Sequence, residues 1–325
     1  MLDQYGRTID YIRISVTDRC NLRCIYCMPE EGVEQVSHSD ILSYAEIVRL
    51  CRIFVRLGIR HIKLTGGEPL VRKGLPDLAK EIRSIPGIED VTLTTNGVLL
   101  GEQMKALYEA GIRSVNVSLD TLDGDMFQRI TRRDLLDRVL EGLKECAGYP
   151  DVRLKINCVP LKGVNEEQWV KMAGIAREYP VDVRFIELMP IGFGKEYHGE
   201  TQESIQKRLK EAYGSPRMLT GSFGNGPSVY VDYPGFAGRI GFISAISHKF
   251  CSQCNRVRLT SEGYLKLCLQ YTDGVDVREL LRGGKADEEI FRVLKEAIEQ
   301  KPRDHQFTVR NGRHFEQHEM SRIGG

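Results

Sequence analysis

The sequence predicts an α/β chain: an incomplete (βα)6 TIM-like barrel, with a smaller C-terminal α+β region closing the lateral opening. Three observations predict it. Strand-like and helix-like segments alternate six times through the first two-thirds of the 325 residues, which implies a parallel sheet with right-handed crossovers. The strand-like segments alternate polar and apolar residues, unlike the near-continuous Val/Ile/Leu of a sheet covered on both faces. Six strands are also too few to close a full eight-stranded barrel, so a wet lumen open at one side is expected.

Each element follows from its local pattern. In Tyr11–Val16, residues Tyr11, Arg13 and Ser15 alternate with Ile12, Ile14 and Val16; at period two, one set faces the lumen and the other a helix layer. Ser43 and Glu46 form a capping box that opens a helix running to Gly58, a natural residue to end it. Strands His61–Thr65, Val91–Thr95, Ser114–Leu119, Val152–Val159 and Asp182–Leu188 follow, separated by helices at Pro76–Ile85, Glu102–Ala110, Asp134–Ala147 and Glu166–Glu178. Asn116 and Ser118 alternate with Val115, Val117 and Leu119, as Arg153, Lys155 and Asn157 do with Val152, Leu154 and Ile156. After Glu187 the texture turns rich in glycine and aromatics, with strand-like Ser228–Asp232 and Arg239–Ser244 and an amphipathic helix at Asp287–Glu299. The expected division is a barrel over residues 1–190 and a second region over 191–325.

Apolar residues make up 41 % and charged residues 28 % of the chain, enough of both for a core with a water-facing surface. The net charge of +1 supplies no global field for nucleic acid or an acidic membrane, so any anion site has to be local. No run of about eighteen apolar residues is present to span a membrane, and MLDQYGRTID lacks the apolar stretch of a secretory signal. The expectation is a cytoplasmic protein with no membrane and no nucleic-acid partner.

Six of the nine cysteines fall in two runs. Cys20, Cys24 and Cys27 form C-x3-C-x2-C, and Cys251, Cys254 and Cys268 form C-x2-C-x13-C. In a reducing compartment, closely spaced cysteines favour metal over disulfides. Three thiolates are one short of a closed structural zinc site and of the usual four-cysteine cubane. Each trio therefore leaves a corner for a ligand other than cysteine, and spacing alone leaves the second trio open to zinc or a cluster. Cys51, Cys146 and Cys158 are expected to be small buried hydrophobes.

Other residues point to an anion. Arg13, Lys63 and Lys155 come from three different strands and fall in the polar sets, with Arg184 a fourth candidate. Cations converging on one lumen repel unless an anion joins them, and both residue types suit phosphate oxygens; pairing with Glu68, Asp120 or Glu187 is the alternative. Gly66-Gly67-Glu68-Pro69, read alone, is a tight turn that uses the tolerance of glycine for positive φ. Arg256 and Arg258 sit at alternate positions and can face one way on a strand.

CNLRCIYC resembles the signature of the radical S-adenosylmethionine (SAM) superfamily. The resemblance implies a [4Fe–4S] cluster on Cys20, Cys24 and Cys27, with SAM chelating its fourth iron. It also makes Tyr26, Gly67, Ser118 and Met189 contacts of SAM; for Tyr26 a packed aromatic is the alternative. Together with TGGEPLVR, TTNG, RFIELMP, FCSQCNRVRLT and the terminal MSRIGG, the chain from about Ile9 to Gly325 resembles the GTP 3′,8-cyclase family. That likeness implies a second [4Fe–4S] cluster on Cys251, Cys254 and Cys268, with an open iron for the guanine base. It implies a GTP site at Arg13, Lys63, Thr94, Lys155, Arg256, Val257 and Arg258, and a tail, Gly324-Gly325, that reaches the active site; composition alone reads a frayed terminus there. Lys63 stands where relatives often carry arginine, which keeps the charge and loses the fork.

The implied reaction is hydrogen abstraction from C3′ of GTP by a SAM-derived 5′-deoxyadenosyl radical, then attack of C3′ on C8 and reduction. Its product is (8S)-3′,8-cyclo-7,8-dihydroguanosine 5′-triphosphate, formed in the first step of molybdopterin cofactor biosynthesis, and no side-chain base is required for the abstraction. Implied partners are an external one-electron donor and a downstream pterin-forming enzyme; monomer and homodimer both stay open. Two other readings stand beside this one: a radical SAM enzyme using its auxiliary cluster on a peptide or other metabolite, and a zinc- or cluster-bearing binding or electron-transfer protein.

Overall fold

The computed structural model of the chain describes residues 1–33, 36–37, 39–221, 223–307 and 315–324. Six βα units follow one another, as the alternation predicts. Strand β1 (Tyr11–Ser15) leads to helix α1 (Tyr44–Arg56), β2 (His61–Thr65) to α2 (Leu75–Arg83), and β3 (Asp90–Thr95) to α3 (Leu100–Glu109). β4 (Ser114–Ser118) is followed by two helices, α4 (Gly124–Thr131) and α5 (Leu136–Ala147). β5 (Arg153–Cys158) leads to α6 (Trp169–Glu178), and β6 (Asp182–Ile186) to α7 (Gln202–Tyr213).

Two of these helices are not legible in the pattern, for a physical reason. α7 buries only Ile205 and Leu209, too narrow a stripe to register as amphipathic. α4 is short, opens on an Asp123 cap and buries Phe127, Ile130 and Thr131. The stretch Glu166–Gln168 is a 3-10 turn ahead of α6.

The C-terminal region joins the same sheet. It supplies β7 (Arg217–Met218), β8 (Val229–Asp232), β9 (Ile240–Ile243), β10 (Arg256–Leu259), β11 (Tyr264–Lys266) and β12 (Gly274–Asp276), then α8 (Val277–Arg282), α9 (Asp287–Glu299) and α10 (Met320–Ile323). The strand order is β12-β11-β10-β1-β2-β3-β4-β5-β6-β9-β8-β7. β10 runs parallel to β1 and β9 parallel to β6, while the outer strands are antiparallel. The region thus flanks both edges of the six-stranded core. β12 and β7 end the order unpaired with one another, so the barrel stays open. Residues of segments 224–227 and 248–256, with Asp10 and His61, line a polar cavity of about 530 Å³.

Alternation in the strands sorts the two faces. Ile12, Ile14, Ile62, Leu64, Val115, Val117, Ile156 and Val183 are buried under the helices, each removing apolar surface worth roughly 1.5–3 kcal/mol. Cys51, Cys146 and Cys158 belong to this core. No helix among the described residues is long and apolar enough to cross a membrane.

The capping box forms as predicted: Ser43 Oγ accepts from Glu46 N at 3.2 Å, and Ser43 N donates to Glu46 Oε2 at 2.7 Å. Gly58 follows the helix at φ 91°. Glu46 also takes two bonds from Arg282 of α8, at 2.8 and 3.1 Å, tying the first helix to the C-terminal region. Those bonds hold the Glu46 carboxyl down at about 2 against an ordinary value of 4.5, so its contribution is present above 4.5 and lost as pH falls toward 2. Glu46→Gln is expected to lower stability by about 0.5 kcal/mol at neutral pH, the scale of a largely exposed pair. In urea unfolding, the gap between variant and parent should close as pH falls from 4.5 to 2.

Candidate functional site

Strand register carries the polar sets across the lumen. Arg13 stands beside Lys63 of β2 and Arg258 of β10, Asn116 beside Thr94 and Lys155, and Asn157 beside Arg184. The acids that sequence offered as partners are committed elsewhere. Glu68 accepts from Leu70 N, Asn96 N and Thr95 Oγ1, Asp120 from the Tyr26 hydroxyl and Val159 N, and Glu187 from the amides of Ile246 and Ser247.

The cations are left with few neutralising groups. Lys63, 8 % exposed, makes no hydrogen bond or ion pair with a described residue. Burial, with repulsion from Arg13, Arg184 and Lys155, pushes it well below its ordinary value. Lys155 Nζ donates to Phe223 O at 2.6 Å and Tyr230 Oη at 3.2 Å and lies 3.8 Å from Asp182; burial and Arg184 bring it down to about 8. The Arg256 guanidinium stands over the Phe250 ring at 5.2 Å, and its side chain makes no hydrogen bond or ion pair with a described residue. Val257, between the two arginines, turns its side chain into the core, which leaves only its backbone for a ligand.

The first thiol trio sits in the loop after β1, held from three sides. Gly67 N donates to Thr17 O and Glu68 N to Arg19 O. Arg23 N and Ile25 N donate to the carbonyls of Thr131 and Ile130 at the end of α4. Arg132, at φ 56°, turns its guanidinium onto the carbonyls of Arg23 and Met28. A Cβ on Gly67 would lie 2.4 Å from Arg19 O, and one on Gly66 would lie 2.6 Å from Thr17 O. Neither glycine has positive φ, so the tight-turn reading is replaced: glycine is needed because the thiol loop passes directly over this backbone. Burial pushes the Cys20 thiol up to about 11 and Cys27 to about 12, with Cys24 raised too. Such thiols become thiolates when a cationic metal takes the place of the proton.

The second trio has different surroundings. Cys251 opens a 3-10 turn, Cys254 follows it just before β10, and Cys268 lies two residues past β11. Arg7, 6 % exposed, donates to the carbonyls of Cys251, Lys301, Pro302 and Arg303 and pairs with Asp3, fixing the turn. Burial raises Cys254, but Lys301 and Arg256 outweigh it and hold the thiol below its ordinary value.

All six thiols line one cavity of about 350 Å³, which Arg13, Tyr26, Gly67, Thr94, Ser118, Met189, Arg256 and Arg258 also line. Lys63 and Lys155 stand two residues before Thr65 and Asn157, of which the latter two reach it. Gly324 accepts from Arg258 through its carbonyl at 2.6 Å and packs beside Ser15 and Thr65; Gly325 lies outside the described residues. Among the described residues, no three His, Cys, Asp or Glu side chains gather as a set for one ion. Thiols spaced around a cavity instead suit a cluster, in which each thiolate binds its own iron.

Sequence reasoning assigned nothing to Asn96, whose Nδ2 lies 3.7 Å from Cys20 Sγ and 2.7 Å from Asn21 Oδ1, although TTNG contains it. Lys301, His305 and Ser321 also line the cavity; no local signal marks Lys301 or His305, while Ser321 lies in MSRIGG.

Residues 14–175 match the Radical SAM superfamily, and residues 181–307 match Molybdenum Cofactor Synthesis C. SuiB of Streptococcus suis, in its structure bound to S-adenosylmethionine, shares the fold with a TM-score of 0.61 at 16 % identity, over 90 % of this chain and 68 % of its own. The class is thus a radical SAM barrel with an auxiliary thiol site. GTP 3′,8-cyclase of Clostridium perfringens is 44 % identical over 328 residues, and that of Petrotoga mobilis 43 % identical over 327, each covering 100 % of both chains. The chain belongs to the GTP 3′,8-cyclase family.

The unpartnered lysine gives a two-sided expectation. Lys63→Met should stabilise the ligand-free protein by on the order of 1 kcal/mol, because it removes a buried cation without a partner. The same variant should lose most of the stabilisation that inorganic triphosphate gives the parent. Thermal unfolding with and without triphosphate reads both effects; a destabilised variant with the parent's response would contradict the assignment.

Proposed function

We propose that this site converts GTP to (8S)-3′,8-cyclo-7,8-dihydroguanosine 5′-triphosphate, the first step of molybdopterin cofactor biosynthesis. Cys20, Cys24 and Cys27 would hold one [4Fe–4S] cluster, and Cys251, Cys254 and Cys268 a second whose free iron takes the guanine base. The chemistry these groups supply when bound is one-electron cleavage of SAM, giving the 5′-deoxyadenosyl radical that takes hydrogen from C3′ of GTP before the C3′–C8 bond forms.

The chain supplies placement. Tyr26, Gly67, Ser118 and Met189 wall the SAM side of the cavity, with the Tyr26 ring fixed by its 2.6 Å bond to Asp120. Arg13, Lys63, Lys155, Arg256 and Arg258 receive the triphosphate, Thr94 lies beside it, and Val257 contributes through its backbone. Gly324, in the tail beside Ser15 and Thr65, helps exclude water, which protects a reactive intermediate. Holding C3′ near the attacking carbon is the main catalytic contribution of the fold, and no side chain moves a proton in the abstraction.

The observation that carries this reading is that both thiol trios wall a single cavity crossed by cations whose expected carboxylate partners are bound elsewhere. An external one-electron donor and a downstream pterin-forming enzyme complete the sequence of events, and the thiol sites suit the reducing cytoplasm. We assign residues 1–190 to the SAM half and 191–325 to the auxiliary half.

Anaerobic incubation of reconstituted protein with dithionite, SAM and GTP tests the proposal. About eight irons per chain, 5′-deoxyadenosine and a cyclised nucleotide detected by mass are expected. Cys251→Ala should keep about four irons and SAM cleavage and lose the cyclised nucleotide. SAM cleavage with GTP left intact in the parent would move the substrate to another class, such as a peptide. Zinc without sulfide would remove the reaction altogether.

A further inference from the structure

We infer that Lys266 and Glu316 form a clamp that positions the C-terminal tail along the cavity, from the loop carrying Cys268 to the first thiol loop. The inference rests on the cyclisation proposed above and names residues with no part in binding the groups discussed so far.

Lys266 ends β11, two residues before Cys268. It is 2 % exposed and Glu316 is 4 % exposed, and the two form a buried ion pair. Each is further bonded in place. Lys266 Nζ donates to Tyr271 O at 2.6 Å. Glu316 Oε1 accepts from Gln317 N at 2.9 Å, His318 N at 2.8 Å and His318 Nδ1 at 2.7 Å. The backbone repeats the connection: Glu316 N donates to Gln270 O at 2.6 Å, and Phe315 bridges Tyr271 with the rings 5.7 Å apart.

Beyond this anchor the tail runs the length of the site. Ile323 packs with Leu269, the residue after Cys268, and with Ile191. The Ser321 amide faces Cys27 and works against the rise that burial gives its thiol, and the Gly324 carbonyl takes the bond from Arg258. The loop that carries a ligand of the second trio therefore also holds the tail that touches a ligand of the first. A charge pair suits an anchor. Removing one partner leaves an uncompensated buried charge, so the segment is either seated with both partners in place or released. Lys266 and Glu316 are positioning residues: they touch none of the reacting atoms and act through where Ser321 and Gly324 come to rest.

The test uses full-length holoenzyme and two readouts. Hydrogen exchange followed by mass spectrometry reports peptides spanning residues 315–324. Glu316→Gln and Lys266→Met should each speed exchange there by about tenfold, as expected of local release. Lys266→Arg, which keeps the cation, and Gln317→Ala, on the exposed side of the segment, should leave it slow. With GTP present, 5′-deoxyadenosine formed per cyclised nucleotide should rise severalfold in the two disrupting variants, while iron content and the spectrum of the SAM-bound first cluster match the parent. A merely structural pair would lower both products together and leave the ratio alone.

Unchanged exchange in both disrupting variants would overturn the clamp, and faster exchange with an unchanged ratio would overturn its positioning role. If Glu316→Gln does not fold, Glu316→Asp keeps the charge, shortens its reach and is expected to give an intermediate exchange rate. A parent unable to cyclise GTP would end the proposed function, while the exchange data would still decide the clamp.

Discussion

The structure depends on holding several cations side by side in one lumen. Arg258, Arg13 and Lys63 stand in register on adjacent strands, a spacing of about 4.8 Å between neighbours. At an effective dielectric of about 20, full charges at that separation repel by on the order of 3 kcal/mol per pair, a sizeable part of a typical net stability of roughly 5–15 kcal/mol. The apolar strand faces under the helices offset that cost, and a drop in the Lys63 pKa relieves part of it. Glu68, Asp120 and Glu187 leave the repulsion in place by bonding to backbone amides and hydroxyls instead of to the cations.

The two thiol trios sit in different electrostatic settings. Around the first, burial comes with the acids Glu68 and Asp120, and all three thiols are raised. Around the second, burial raises Cys251, while Lys301, Arg256 and Arg7 lower Cys254 despite its burial. A thiolate there forms more readily before metal arrives, since a positive setting favours the charged form. The chain therefore gives its two metal sites different fields, although both begin as three cysteines short of a fourth ligand.

Much of this could be read from the sequence, and the failures have physical causes. Period-two alternation fixed which residues of β1, β4 and β5 face the lumen, and the Ser43/Glu46 box fixed the start of α1. Both signals are local. The flanking of the sheet by β9 and β10 was not legible, because the pairing of Tyr11 with Arg256 joins residues far apart in the chain and leaves no mark in either segment. α4 and α7 went unseen because their buried stripes are two or three residues wide. At the site, the cysteines and Gly67 were readable as motif residues, but the reason for Gly67 was not. It lies in the closeness of the Arg19 carbonyl, which no spacing reveals. Lys266 and Glu316 look like ordinary surface charges in sequence, and only the fold buries them together.

Strand polarity finally explains why one chain needs both halves. The first trio follows β1, whereas Cys254 precedes β10, which runs parallel to β1 with Arg256 level with Tyr11. The two sites must then lie at opposite ends of the lumen, separated along the strand direction by roughly 20 Å at about 3.3 Å per residue. The cationic belt of β1, β2 and β10 lies between them. Had the auxiliary strand run antiparallel to β1, both trios would crowd one mouth and leave no room for a substrate between them. The parallel docking of β10, which strand alternation alone does not reveal, is what turns two incomplete thiol sites into the two ends of one reaction chamber.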